Sequence, residues 1–278
     1  LKGLSFQTEW KLFGTGPAIV EAFSRDEIDL AYIGLPPAII GMDRGIPLVC
    51  IGGGHIEGTV LASSRQSLSF EETDDICRVL SGFRSIGVPG RGSIHDLILS
   101  DMLQRCNLKT EVVNFRWADE ALEAYLKGTI DAAIGTPALA QAIVGFGEGK
   151  IIWPPSRLWP NNPSYGILVM KDLLDKAPDV LKKFLILHEF GTNLLRNSPE
   201  EIAEEIARTM GFVERDFVLN TLGISARYCA SITDEYISCT MALTKRMLEL
   251  GYIGREFTED EVFDLTLIRE VHPGKAHY

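Results

Sequence analysis

The sequence lacks an excess of positive charge, a long apolar run, paired-cysteine spacing and any familiar nucleophile motif. Each lack removes a class of function. With 27 Lys and Arg against 38 Asp and Glu, the chain carries a formal net charge of -11. Nucleic acid and anionic membrane surfaces both demand a basic face, so neither is an expected partner. A membrane-crossing helix needs about 20 consecutive apolar residues, and no stretch reaches that length. The five cysteines, Cys50, Cys77, Cys106, Cys229 and Cys239, contain no C-x-x-C pair, which removes the thioredoxin pattern and the usual zinc-ribbon pattern. Their odd number excludes complete pairing within the chain, and mostly free, buried thiols are expected. No G-x-S-x-G elbow occurs, and the glycine turn at residues 89–95 has neither a Walker ending nor a dinucleotide fingerprint.

What is present is a regular alternation of short apolar strands and helices. Strands are expected at residues 4–10, 28–33, 47–51, 59–63, 85–88, 111–115, 130–134, 150–153 and 165–170, with helices between most of them. That alternation is the mark of an α/β chain built on parallel sheets. Ser69 followed by Glu72 reads as a capped helix start. From residue 172 onward the pattern turns helical, with helices expected at 178–190, 199–210, 214–222, 234–250 and 259–270. Pro154, Pro155, Pro160 and Pro163 make residues 153–163 a connector. The opening residues read as the approach to a strand already under way, so a leader and an earlier strand and helix are expected upstream.

One phrase is written twice. Ile28-Asp29-Leu30-Ala31 runs to Gly34-Leu35-Pro36, and Ile130-Asp131-Ala132-Ala133 runs to Gly135-Thr136-Pro137. Each copy follows a helical Glu-Ala-aromatic, at Glu21 and at Glu123. Both place a Gly-x-Pro where a strand gives way to a helix. Ligands of open α/β sheets gather at such strand ends, where helix N-termini offer unpaired N–H groups. The same spacing also suits two unrelated tight turns.

Three further stretches invite a site. Pro89-Gly90-Arg91-Gly92-Ser93 lets the backbone approach a ligand, with Ser93 as cap or ligand contact and Arg91 as a positive charge. It equally describes a capped turn with a solvated arginine. Gly52-Gly53-Gly54-His55-Ile56-Glu57 reads as a loop after a strand, either exposed or lining a site. A metal there wants a third ligand, and no HxxxH or HExxH pattern supplies one, so no metal site and no cofactor are expected. Trp117, Trp153, Trp159 and Tyr165 are candidates to wall a pocket or simply to pack. His188 lies in an apolar helical run and reads as a packed histidine, while His272 and His277 read as solvated.

Taken together, IDLAYIGLPPAI with Arg44-Gly45, SIGVPGRGSIHDLIL, ALEAYLKGTIDAAIGTPA and the strand at 163–169 resemble the nitrate/sulfonate/taurine solute-binding proteins of ABC importers. That superfamily includes thiamine-pyrimidine-synthase-like proteins, and the resemblance covers about residues 10–210. It implies a two-lobed type II periplasmic-binding-protein fold, α/β in class, with a ligand cleft between the lobes and extra C-terminal helices. Lobe 1 would take residues 1–84 and 164–278, and lobe 2 residues 85–163. The two echoed phrases would then be equivalent edges. The implied ligand contacts are Gly34, Leu35, Pro36, Gly54, His55, Arg91, Gly92, Ser93, Thr136, Pro137 and Tyr165.

The implied function is that of a non-enzymatic, extracytoplasmic receptor, periplasmic or carried on a lipid anchor. A monomer is expected, binding a small sulfonate, nitrate or carboxylate and docking on a membrane permease. The alternative is an enzyme of thiamine-pyrimidine or menaquinone-precursor synthesis on the same fold, for which His55 would be the reactive group. A ligand-sensing domain of a regulator ranks third.

Overall fold

The structure, a computed structural model, describes residues 8–278. The strand expected at residues 4–10 lies mostly outside that range, and residues 8–10 form no strand. In chain order the elements begin α1 (Gly16–Ser24), β1 (Leu30–Ile33), α2 (Leu35–Asp43), β2 (Leu48–Ile56), β3 (Val60–Ser64), α3 (Ile76–Leu80), β4 (Ser85–Pro89) and α4 (Ile94–Arg105). Then come β5 (Glu111–Phe115), α5 (Ala118–Leu126), β6 (Ala132–Gly135), α6 (Pro137–Phe146), β7 (Gly149–Trp153), α7 (Pro155–Leu158) and β8 (Pro163–Met170). The rest is helical: α8 (Lys171–Lys176), α9 (Pro178–Asn197), α10 (Pro199–Met210), α11 (Arg215–Ile224), α12 (Asp234–Glu249), α13 (Glu259–Val262) and α14 (Thr266–Val271). No helix among the described residues is long and apolar enough to cross a membrane.

The chain divides into two compact units. Among the described residues, unit 1 takes 8–56, 161–202 and 226–278, and unit 2 takes 57–160 and 203–225. The first change of unit therefore falls at residue 56, earlier than the expected 84. The reason is β3, which pairs antiparallel with both β6 and β7 and so belongs to the second sheet. Residues 203–225 join unit 2 because α11 packs on α6, with Phe217 stacked against Phe146 at 6.4 Å.

Unit 1 holds a three-stranded sheet in the order β1-β8-β2, with β8 antiparallel to both neighbours. Unit 2 holds five strands in the order β5-β4-β6-β3-β7, where β4 runs parallel to β5 and β6. The expectation of parallel sheets therefore fails at β3 and β8. Each of these strands opens antiparallel to the strands beside it. In unit 1, Val49, Ile51, Ile167, Val169, Leu181 and Leu185 form one core under α9 and α14. In unit 2, Val60, Ala62, Ile130, Ala133, Leu139 and Ile143 form the other. Truncating such fully enclosed leucines and isoleucines to alanine typically costs about 2–5 kcal/mol.

β2 does not stop at residue 51 but runs through all three glycines to Ile56, buried along its whole length. A Cβ on Gly53 would stand 2.2 Å from the Ser231 carbonyl oxygen, and one on Gly54 would stand 2.1 Å from the Tyr165 ring. These glycines are there for contact, not for looseness. The backbone of β2 pairs with β8 on one side, through register shifts at Cys50/Gly52 and Gly52/His55. It also bonds to the segment at residues 227–230, where Gly53 N–H donates to Ala230 O at 2.8 Å and Cys229 N–H to Gly54 O at 3.1 Å.

Two other expectations need correction. Ser69 N–H and Oγ both donate to the Glu72 carboxylate, as a capping box would have it. No helix follows, because Phe70 N–H is spent on Ile152 O, and the helix starts later under an Asp75 cap. The helix expected at 259–270 is split into α13 and α14, since Phe263 turns extended and Asp264 N–H bonds to Cys50 O on β2. Cys77 and Cys106 form a disulfide, while Cys50, Cys229 and Cys239 are not disulfide-bonded.

Substituting Gly53→Ala is expected to destabilise unit 1 by about 2–3 kcal/mol or more, because the oxygen it meets is backbone and cannot swing away. Gly191→Ala, inside α9 with nothing within 4 Å of the new methyl, is expected to stabilise by about 0.5–1 kcal/mol. Urea unfolding of the two variants checks both signs. The disulfide closes a 29-residue separation, so replacing both cysteines by serine is expected to cost about 3–4 kcal/mol by the chain-entropy relation. The same unfolding curves measure that loss.

Candidate functional site

In unit 1, the strand ends of β1, β2 and β8 carry a cluster of rings. Tyr32 on β1 meets Tyr165 on β8 edge to face at 5.8 Å. Tyr165 lies 5.8 Å from the His55 ring, and His55 stacks on Tyr228 at 4.4 Å and 14°. The cluster exists because Gly54 has no side chain beneath the Tyr165 ring. Below it, His188 Nε2 lies 3.0 Å from Gly53 O and its Nδ1 lies 3.2 Å from the Tyr32 hydroxyl. A carbonyl only accepts, so Nε2 carries the proton and Nδ1 accepts from Tyr32. Burial holds the His188 pKa down, which keeps the ring neutral in that tautomer, against the opposing effect of the Gly53 bond.

Burial also pushes the Tyr32 and Tyr228 phenols up to about 12 and raises Tyr165 further. The three phenols therefore stay neutral at any ordinary pH. Tyr32 is 36% exposed and Tyr165 is half-buried, so solvent reaches part of this surface. Of the expected contacts in this unit, Gly54, His55 and Tyr165 come together. Gly34 stands at the N-terminus of α2, one residue past the Ile33–Gly166 pair, while Leu35 and Pro36 are buried in the first turn. Tyr32, His188 and Tyr228 were not among the expected site residues. Tyr32 lies within the echoed phrase, while His188 comes from α9 and Tyr228 is brought in by pairing across the sheet edge.

In unit 2, the expected residues fall on one edge of the sheet. β4 and β6 are parallel neighbours, with Ile86 opposite Ala132, so α4 and α6 start side by side from their carboxyl ends. Gly90 and Gly92 have φ of 76° and 81°, the left-handed turn that only glycine takes readily. Ser93 caps α4 by accepting from Asp96 N–H at 3.2 Å. Gly92 N–H in turn donates to the Asp96 carboxylate at 2.8 Å, and that side chain is buried. The positive end of α4 is thus already met by an internal carboxylate. Arg91 points to solvent. Thr136 caps α6 by accepting from Leu139 N–H at 3.3 Å, with Pro137 in the first turn and no acidic residue there. Trp153 and Trp159 pack inside this unit, against Phe70 and beneath Arg105, and Trp117 is exposed before α5.

Residues 3–211 match the NMT1-like family. The chain belongs to that family. Among solved structures, the ligand-binding component of an ABC-type import system from Staphylococcus aureus, with zinc bound, aligns at a TM-score of 0.79 and 16% identity, over 97% of this chain and 90% of the other. The periplasmic aliphatic sulphonate binding protein SsuA from Escherichia coli aligns at 0.75 and 18% identity, over 92% and 86%. The periplasmic nitrate-binding protein NrtA from Synechocystis PCC 6803 aligns at 0.72 and 13% identity, over 93% and 78%. The fold is that of these type II periplasmic binding proteins. No curated protein matches the sequence.

His95, the residue before Asp96, is buried and bonded through Nδ1 to Thr59 Oγ1 at 3.0 Å. Burial pulls its pKa down from 6.5 to about 4. Between those values the unfolded chain binds a proton that the folded chain refuses. The stability this neutral histidine contributes is complete above about pH 6.5 and is lost as pH falls towards 4. The expected loss across that window is on the order of 3 kcal/mol, taking 1.36 kcal/mol per pKa unit. His95→Gln, which cannot titrate, is expected to flatten the slope of unfolding free energy against pH between 6.5 and 4.

Proposed function

We propose that this chain is the solute-binding component of an ABC import system, acting outside the cytoplasm and without chemistry of its own. The observation that carries the reading is the shared fold, which spans more than nine-tenths of this chain in each of three import-system binding proteins. The Cys77–Cys106 bond supports an oxidising location. The solute is a small polar or anionic molecule of the sulfonate, nitrate or carboxylate class. Its contacts are the Tyr32–Tyr165–His55 cluster of unit 1 and the α4 and α6 starts of unit 2. Binding closes the two units on the solute, and the liganded form docks on a membrane permease.

An enzymatic role would need a reactive His55. That ring is 4% exposed and stacked on Tyr228, which suits a wall better than a base.

Thermal-shift and calorimetric titration with taurine, a longer alkanesulfonate, nitrate and a dicarboxylate tests the reading. One class is expected to bind saturably at one site per chain. Tyr165→Ala is expected to weaken that binding at least tenfold. Arg91→Ala is expected to weaken it less than about fivefold, since an exposed charge contributes up to about 1 kcal/mol. Turnover of a pyrimidine or quinone precursor would replace the receptor reading with the enzymatic one.

A further inference from the structure

Cys229, His272 and His277 converge within unit 1, away from every motif singled out in the sequence. Their donor atoms form a triangle. Cys229 Sγ lies 3.6 Å from His272 Nε2 and 3.5 Å from His277 Nδ1, and the two nitrogens are 3.2 Å apart. A tetrahedral zinc with Zn–S of about 2.3 Å and Zn–N of about 2.05 Å would set S···N edges of about 3.6 Å and an N···N edge of about 3.3 Å. The observed edges match those values within about 0.1 Å. We propose that these three side chains bind a divalent cation of the zinc class.

The donor chemistry points the same way. One thiolate and two imidazoles make a borderline-soft set, which suits zinc and not magnesium or calcium. The spacing from His272 to His277 is H-x4-H, inside the three-to-five range of zinc-binding histidine pairs. Cys229 is fully buried, and His277 N–H donates to its sulfur at 3.4 Å, a contact that steadies thiolate charge. His272, expected at a solvated end, has a side chain only 6% exposed. Burial now holds the Cys229 thiol up, and a bound cation reverses that by taking the thiolate as ligand.

Glu189 supplies nearby negative charge, with Oε1 at 3.8 Å from His272 Nε2. Its own oxygens are engaged by Arg196 at 3.2 Å, Ala230 N–H at 3.2 Å and Thr192 Oγ1 at 3.0 Å. It therefore serves as a charge partner, and water takes the fourth position. The cation ties the C-terminal residues to the segment beside β2. Tyr278 already reaches that segment, donating to Cys229 O at 2.8 Å. The inference rests on unit 1 residues alone and stands or falls apart from the transport reading.

The test is titration of the chelator-stripped full chain, with its Cys77–Cys106 disulfide intact, with cobalt(II), followed by competition with zinc(II). One equivalent is expected to bind with a thiolate-to-cobalt charge-transfer band that zinc abolishes. Cys229→Ser is expected to remove that band. His277→Ala, a change at an exposed side chain that leaves the fold intact by circular dichroism, is expected to weaken zinc at least tenfold and to abolish its thermal stabilisation. Absence of one-equivalent binding, a cobalt spectrum without the thiolate band, or equal zinc affinity in the wild type and His277→Ala would each overturn the proposal.

Discussion

Three consecutive glycines hold the backbone of β2 closer to its neighbours than any side chain allows. Gly52 faces Leu185 and Ile167, Gly53 faces the Ser231 carbonyl, and Gly54 faces the Tyr165 ring. Most of what distinguishes unit 1 depends on that approach. The strand takes ladder bonds from β8 on one side and from residues 227–230 on the other, so its polar backbone is satisfied although it is wholly buried. A side chain at any of the three positions would lift one partner away and leave buried N–H and C=O groups without bonds, at about 1–3 kcal/mol each.

The segment at 227–230 is ordered by this pairing, and two consecutive side chains use it differently. Tyr228 turns its ring onto His55, within the aromatic cluster. Cys229 turns its sulfur onto His272 and His277. Alternation along an extended backbone sends neighbours to opposite faces, so one short segment joins the ring cluster and the donor triangle. Arg196 fastens it from α9, donating to Tyr228 O at 2.6 Å while pairing with Glu189. This charged pair is largely buried, and its remaining acceptors are filled by Ala230 and Thr192, the condition under which a buried ion pair is tolerated.

The sequence made the α/β class, most element positions and the echoed strand ends legible, because period and Gly-Pro punctuation are local signals. It misread β2 after residue 51, since a glycine run looks the same whether it frees a loop or admits a neighbour. It placed β3 in the wrong unit because strand order is set by long-range pairing that no local pattern encodes. Gly54, His55 and Tyr165 were recognisable from the resemblance and do meet. Tyr228 and Cys229 were not, because only the pairing of residues 227–230 with β2 brings them there. The H-x4-H at the C-terminus was a readable signal, but its third donor lies 43 residues from the nearer histidine.

The electrostatics of the unit 2 edge bear on what kind of solute suits it. A helix start carries about half a positive charge, and at α4 the buried Asp96 carboxylate already meets it. An anion arriving there would find the Gly92 N–H already donating to the Asp96 side chain, and the exposed Arg91 would attract it only weakly through water. The α6 start has no acidic residue in its first turn, so its partial positive charge is uncancelled by its own helix. On a chain of net charge -11, long-range attraction for anions is absent as well. On the reading proposed above, an anionic solute would meet unit 2 at the α6 start, where backbone N–H groups rather than a side-chain charge would receive it. Recognition of that kind works by hydrogen-bond geometry, and raising salt would weaken it far less than it weakens a charge clamp.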